Sequence, residues 1–330
     1  VLFVTTANDT SAIPKALLDR MEVIELYSYT HEEKFNIAKK HLIPKQIKQH
    51  GLKANNLRIS DDALRQIIDG YTREAGVRKL ERKIAAISRV AAVGVAQEDF
   101  QRMTVTPANL ETILGPAKFK PEDDYKDEVG AVNGLAWTSV GGEMLKIEVA
   151  IVPGKGKVEL TGSLGGVMKE SAKAAVTYIR SRAGELLIDE EFYKTKDIHI
   201  HVPQGAVPKD GPSAGAAIAT ALASALTGTP VHGKVAMTGE ISLRGKVLPI
   251  GGLKEKTMAA YRAGMTKVLV PKDNEADLFE VDDIVKSSVE FVIAEKLEDV
   301  FDTAFIKTKM NSVVLKEVTQ KKSVGLNYEI

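Results

Sequence analysis

Apolar and polar positions follow two different rhythms along this chain, and the change between them divides it. The chain opens on Val1-Leu2-Phe3-Val4-Thr5-Thr6, an apolar run that predicts a buried β-strand. Asn8-Asp9 then reads as a loop, Pro14 to Met21 as a short helix and Val23 to Leu26 as a further strand. From Thr30 the spacing turns helical. Thr30-His31-Glu32-Glu33 is a capping box, with Thr30 as N-cap and Glu33 at the third helical position. Helices are expected over Asp61–Gly70 and Val77–Ala96, punctuated by Ser60 and Gly76, and a last short one starts at Thr106-Pro107-Ala108-Asn109-Leu110. Residues 30–115 therefore read as a small helical unit.

Gly115 to Glu128 holds two prolines and the acidic cluster Glu122-Asp123-Asp124, which marks a linker over 116–128. Beyond it strands and helices alternate. Lys146–Val152, Lys157–Leu160, Asp197–Val202, Lys234–Met237, Lys246–Pro249, Lys267–Val270 and Val289–Ile293 read as strands. Helices are expected at Lys169–Ala183, Ala214–Leu226 and Lys254–Ala263. The pattern predicts an α/β (α+β) domain over 129–305. A lysine-rich tail of weak periodicity follows over 306–330.

Composition is that of an ordinary globular protein, with 44% hydrophobic and 27% charged residues. A net charge of +1 gives no bulk attraction to nucleic acid or anionic lipid. No apolar run approaches the roughly 20 residues a membrane helix needs, so no membrane partner is expected. The chain has no cysteine, which excludes disulfides, thiolate metal sites and a cysteine nucleophile, and fits the cytoplasm. The opening strand has no initiating Met and no leader before it, so the chain reads as a fragment or as one beginning inside a domain.

The chemistry concentrates in Pro208-Lys209-Asp210-Gly211-Pro212-Ser213-Ala214-Gly215. Here a loop of turn formers gives way to a helix of small residues, placing the Ser213 hydroxyl beside the free N–H groups and positive end of that helix. This environment suits a nucleophile whose attack creates an oxyanion. A serine nucleophile needs a base. His199 or His201, with Asp210 or Asp197, could complete a triad; the plainer reading makes both histidines ordinary strand residues. The other candidate base is a lysine in Gly251-Gly252-Leu253-Lys254-Glu255-Lys256, which must be neutral and therefore buried. Composition does not say whether Lys254 or Lys256 is the buried one. Trp137, the single tryptophan, reads first as a packing residue and second as the border of a groove.

Three segments taken together narrow these readings. Pro208–Gly215, Thr238-Gly239-Glu240-Ile241-Ser242-Leu243-Arg244-Gly245 and Leu248-Pro249-Ile250-Gly251-Gly252-Leu253-Lys254-Glu255-Lys256 closely resemble the proteolytic domain of the Lon family of ATP-dependent serine proteases. The resemblance extends to about residue 305. It implies Ser213 as nucleophile, Lys256 as general base and Thr238 as a hydroxyl supporting that lysine. Asp210 and Glu240 would shape the site and switch it. Gly162-Ser163-Leu164-Gly165-Gly166 would border the substrate groove. No metal or organic cofactor would enter the bond-breaking step.

By the same resemblance, residues 1–29 look like the end of an AAA+ core and 30–115 like its all-α lid. Asn8 matches sensor 1, which orients the water attacking ATP. Arg20, in Leu17-Leu18-Asp19-Arg20, matches the arginine finger reaching a neighbour's γ-phosphate. Arg78, in Arg73-Glu74-Ala75-Gly76-Val77-Arg78, matches sensor 2. Yet the chain contains neither a G-x-x-x-x-G-K-[ST] phosphate loop nor an acidic strand end for magnesium. ATP and Mg2+ are thus expected to serve only a longer protein. Family properties implied are a homohexameric ring and unfolded or damaged protein substrates. DNA binding through Lys39-Lys40 and Arg78-Lys79, or an inactive scaffold, are the alternatives.

Overall fold

A computed structural model of the chain describes residues 2–7, 13–24, 29–119, 125–138, 141–203 and 209–306. A single helical turn, α1 (Lys15–Leu18), precedes the helical unit. There the Thr30 hydroxyl accepts from Glu33 N at 3.2 Å and the Glu33 carboxylate from Thr30 N at 2.7 Å, starting α2 (His31–Ile37). A wide π-helical turn over Ala38–Leu42 leads into α3 (Ile43–Gln49). Pro44 lies in the first turn of α3, and the missing donor accounts for the widened turn before it. β1 (Leu57–Ile59) precedes α4 (Asp61–Tyr71), which Ser60 caps through Ala63 N. The Glu74 carboxylate accepts from Lys79 N and Leu80 N, both at 2.8 Å, and so caps α5 (Arg78–Ala96). β2 (Met103–Val105) and α6 (Leu110–Leu114) complete the unit. Leu64, Ile67, Leu80, Ile84 and Ile87 recur at helical spacing and are fully buried between these helices.

The second unit is built on a seven-stranded mixed sheet in the order β11-β10-β7-β3-β4-β6-β5. Its strands are β3 (Ala131–Thr138), β4 (Gly141–Pro153), β5 (Val158–Thr161), β6 (Lys196–His201), β7 (Val235–Met237), β10 (Lys267–Pro271) and β11 (Glu290–Ala294). A separate antiparallel pair, β8 (Glu240–Ile241) and β9 (Val247–Leu248), follows β7. The helices are α7 (Gly166–Ser181), α8 (Phe192–Thr195), α9 (Gly215–Thr227), α10 (Leu253–Arg262), α11 (Asp283–Ser288) and α12 (Leu297–Ala304). Alternation along the strands decides which helix covers which face. Val235, Met237, Leu269 and Ile147 belong to the core with α7, α9 and α12, whereas Ala236, Val268 and Val270 belong to the core with α10 and α11. The helices α9 and α10 thus lie on opposite faces of the sheet.

Two expected strands are not seen among the described residues, and each unit holds strand pairing that the pattern did not predict. Residues 2–7 form no strand: Leu2, Phe3 and Val4 are more than four-fifths exposed. A strand needs a neighbour for its backbone groups, and none of the described residues supplies one. Residues 22–24 likewise carry no strand pairing, and 25–28 lie outside the described residues. The helical unit is not wholly α, because β1 and β2 pair in parallel from Leu57↔Met103 to Ile59↔Val105. Finally, β3 was not expected. Asn133 and Gly134 interrupt its apolar run, yet it is a central strand, with Asn133 donating to Gly233 O at 2.7 Å.

Candidate active site

Gly211 adopts φ 122°, a region closed to most side chains, and reverses the chain into a 3-10 turn over Pro212–Ala214 that runs into α9. The turn places Ser213, half-buried, where the backbone N–H groups of a helix start have no carbonyl within the helix to bond. Behind it α9 is buried continuously from Gly215 to Ser224. Its small residues allow that. A methyl at Gly215 would lie 2.9 Å from Ser171 Oγ and 3.0 Å from the Ile241 side chain. The serine is thus carried by an element pressed against its neighbours at backbone distance.

Lys256 lies in the first turn of α10 and is 2% exposed. Its Nζ donates to Thr238 Oγ1 at 3.2 Å. Burial pushes its ammonium pKa down to about 8, against a smaller upward pull from the Glu255 carboxylate. Lys254 points elsewhere, toward Asp282 at 3.8 Å with a third of its side chain exposed. Of the two lysines, Lys256 is therefore the buried one. Thr238 joins the two helices. It follows the last residue of β7, and its hydroxyl also reaches the Ser213 carbonyl at 3.5 Å. Gly239 N donates to that carbonyl at 2.9 Å, and Ala216 N donates back to Gly239 O at 3.0 Å. The starts of two helices from opposite sheet faces therefore meet at the C-terminal end of β7, the edge where open α/β sheets gather their ligands.

Asp210 sits beside this junction and has a structural task. Its Oδ1 accepts from Met168 N at 3.0 Å and from its neighbour Gly211 N at 2.9 Å. It caps α7 from outside, where Gly165 has no side chain to do so. The Gly162–Gly166 loop runs alongside the loop before Ser213, with Gly165 N donating to Lys209 O at 2.7 Å and Lys209 N to Ser163 O at 3.1 Å. Glu240, half-buried, pairs through its backbone with Leu248 and lies two residues beyond Thr238.

The histidine triad does not form. Ile198 and Ile200 point into the core with α9, so His199 and His201 point to the other face of β6. Both bond the Thr161 hydroxyl there, at 2.9 and 2.6 Å. Asp197 accepts from Lys155 N and Lys157 N, at 2.8 and 2.7 Å, and Asp210 is occupied on α7. Asn8 lies outside the described residues. Arg20 is exposed after α1, and Arg78 is the exposed first residue of α5. Trp137 is not a core residue: it is 59% exposed, and its ring lies against Gly252 at the start of α10, where an added methyl would be 3.0 Å away. Among the described residues no helix is long and apolar enough to cross a membrane.

One group at the site was missed from sequence. Arg262, in the last turn of α10, donates to Gly142 O at 2.9 Å and contacts His31 Nε2 at 2.6 Å. A basic residue closing a helix is too common to have stood out. The glycine pair Gly141-Gly142 was the available signal, since a methyl at Gly142 would lie 1.9 Å from Glu255 O.

The Lon protease (S16) C-terminal proteolytic domain matches residues 104–307, and the Lon protease AAA+ ATPase lid domain matches residues 48–103. Among curated proteins, the Lon protease of Clostridioides difficile strain 630 is 56% identical over 314 residues, covering 94% of this chain and 40% of that protein. Lon protease 1 of Bacillus subtilis strain 168 is 54% identical over 310 residues, covering 94% and 40%. The Lon protease of Geobacter metallireducens is 54% identical over 305 residues, covering 92% and 37%. The chain thus spans about two-fifths of the length of these relatives. By the two domain matches and by this identity along nearly all of its length, the chain belongs to the Lon protease family.

Proposed function

We propose that this chain carries the peptide-cleaving half of a Lon-type protease, with Ser213 as nucleophile and Lys256 as general base. The observation that carries the reading is the buried Lys256 ammonium hydrogen-bonded to Thr238, whose hydroxyl also reaches the Ser213 carbonyl. A lysine serves as base only when neutral, and a pKa of about 8 makes roughly a tenth of it neutral at pH 7. Neutral Nζ takes the Ser213 hydroxyl proton as Oγ attacks the peptide carbonyl, and Thr238 holds the amine in place. N–H groups at the start of the Pro212–Thr227 helical run stabilise the oxyanion. The Lys256 ammonium then protonates the leaving amine. Water hydrolyses the acyl-enzyme by the reverse proton path.

The test is cleavage of a fluorogenic peptide and of unfolded casein, without ATP, by wild type, Ser213→Ala and Lys256→Gln. Both variants are expected to be inactive and folded. Activity surviving Lys256→Gln but not Ser213→Ala would assign the base elsewhere.

Protein substrates, a hexameric ring and a cytoplasmic setting are read by analogy with the family and would belong to the longer protein. No ATP site is expected in the residues given, because the sequence holds no phosphate loop. Calorimetry is expected to detect no sub-millimolar ATP binding. DNA binding is disfavoured: Lys39 already bonds both Asp61 oxygens, at 2.9 and 2.7 Å. A shift assay should find no complex of the steep salt dependence that phosphate contacts produce.

A further inference from the structure

The first turn of α10 carries Lys256 but lacks a cap. Gly252 precedes it in a left-handed conformation, φ 70°, with no side chain to bond the free N–H groups. Packing must hold it instead. Gly142, at the start of β4, supplies that packing: its α-carbon presses on the backbone at Glu255 and Lys256, where a methyl would fall 1.9 Å from Glu255 O and 2.9 Å from Lys256 N. Gly142 is itself held by Arg262, whose Nη2 donates to its carbonyl at 2.9 Å.

Arg262 is in turn gripped from the other unit. Its Nη1 meets His31 Nε2 at 2.6 Å, and His31 Nδ1 meets Asp69 Oδ1 at 2.5 Å. A guanidinium can only donate, so Nε2 must accept, and the imidazole proton lies on Nδ1 facing Asp69. His31 is therefore neutral and its tautomer is set from both sides. Lys34 extends from the same helix, bonding the Glu74 carbonyl. A second tie joins the units one residue along β4, from Arg73 to Glu143 at 3.3 Å. Tyr29, His31, Gly142, Glu255 and Arg262 enclose the narrow cleft between α2 and α10.

We propose that Arg262 is a positioning residue for Lys256, and that His31 and Asp69 of the lid hold Arg262 in place. The chain of contacts runs from Asp69 to His31, to Arg262, to the Gly142 carbonyl, and from the Gly142 α-carbon to the backbone of Lys256. Release of any link loosens an uncapped turn and admits water to a buried ammonium. Water stabilises the charged form, so the base becomes less available at neutral pH. The lid thereby sets the titration of a lysine it does not touch. This inference rests on Lys256 being the base only for its effect on catalysis; the effect on position does not depend on it.

The experiment titrates Lys256 directly, by 13C NMR of the chain labelled at lysine Cε, with the signal assigned by its loss in Lys256→Gln. Wild type is compared with Arg262→Met, His31→Ala and His31→Gln. The groups facing Lys256 that bear on its titration, Glu255 and Thr238, are unchanged in all of them. The expected result is a midpoint raised by about one unit or more in Arg262→Met and His31→Ala, with kcat for peptide cleavage at pH 7 falling about tenfold at unchanged KM. In His31→Gln, whose amide oxygen still accepts from Arg262, the midpoint stays near that of wild type. A merely structural role for His31 would not distinguish glutamine from alanine in this way. An unshifted midpoint in folded His31→Ala and Arg262→Met overturns the positioning role. A shifted midpoint with unchanged kcat upholds positioning and overturns Lys256 as the base.

Discussion

The two helices that meet at Thr238 are built on opposite plans. The helix of the proposed nucleophile, α9, is buried along ten consecutive residues and made largely of alanine and other small side chains. Its position is fixed by close packing on several sides, so Ser213 is located by the core itself. The lysine's helix, α10, is amphipathic, starts without a cap and leaves Lys254 a third exposed beside Asp282. Lys256 is buried where the start of β4 presses on its backbone and Thr238, after β7, meets its ammonium. A nucleophile needs placement, and a rigid core provides it. A lysine acting as base needs an unusual environment, and the buried Lys256 has one.

Removing the proposed nucleophile sharpens this contrast most. Ser213→Ala is expected to abolish peptide cleavage, by at least about 10³-fold, with the unfolding midpoint in urea unchanged. Next comes pH. Below pH 8 the neutral fraction of Lys256 falls tenfold per unit, so kcat/KM should rise as pH increases and level off above about 8. A profile flat from pH 6 to 9 would detach Lys256 from the chemistry.

The same lysine is predicted to weaken the fold. Its folded-state pKa, about 8, lies below the ordinary 10.5, so folding disfavours the charged form. The cost is full below pH 8 and vanishes as pH rises toward 10.5. Lys256→Met should therefore stabilise the chain by on the order of 3 kcal/mol at pH 7 and by little near pH 10. Urea titrations at the two pH values check the sign. On the α9 side the expected effect is reversed: Gly215→Ala forces a methyl against Ser171 and Ile241 and should destabilise by about 1–3 kcal/mol, with loss of activity. Asp210→Ala, which uncaps α7, should cost only about 1 kcal/mol. If Asp210→Ala instead removed activity without loss of stability, its task would be catalytic rather than structural.

Legibility followed the same division. Helices with a capping residue and one apolar stripe were readable to within a residue or two: Asp61–Tyr71 and Arg78–Ala96 nearly match expectation. Strand β3 was not, because its central place comes from pairing with β4 and β7, which no local pattern encodes. The opening apolar run predicted a strand, but a strand exists only with a partner. Within the site, Ser213 announced itself through Gly211, Pro212 and the helix of small residues. Lys256 could not be separated from Lys254 until the face of α10 was known. Arg262 escaped altogether and His31 was read only within a capping box, the two being 231 positions apart and individually ordinary. The distinction between His199 and a catalytic histidine also needed the sheet, since β6 shows its isoleucines to α9 and its histidines to the far side.

The exposed indole against Gly252 gives the molecule a built-in optical reporter. Trp137 is the single tryptophan of the chain, so the emission on selective excitation has one source. That source stands at the threshold of the lysine's helix, with more than half its surface in water. A peptide arriving there, or a shift of the first turn of α10, changes the polarity around one fluorophore. Binding and turn motion can therefore be followed in real time on the unlabelled protein, with Ser213→Ala holding the substrate uncleaved.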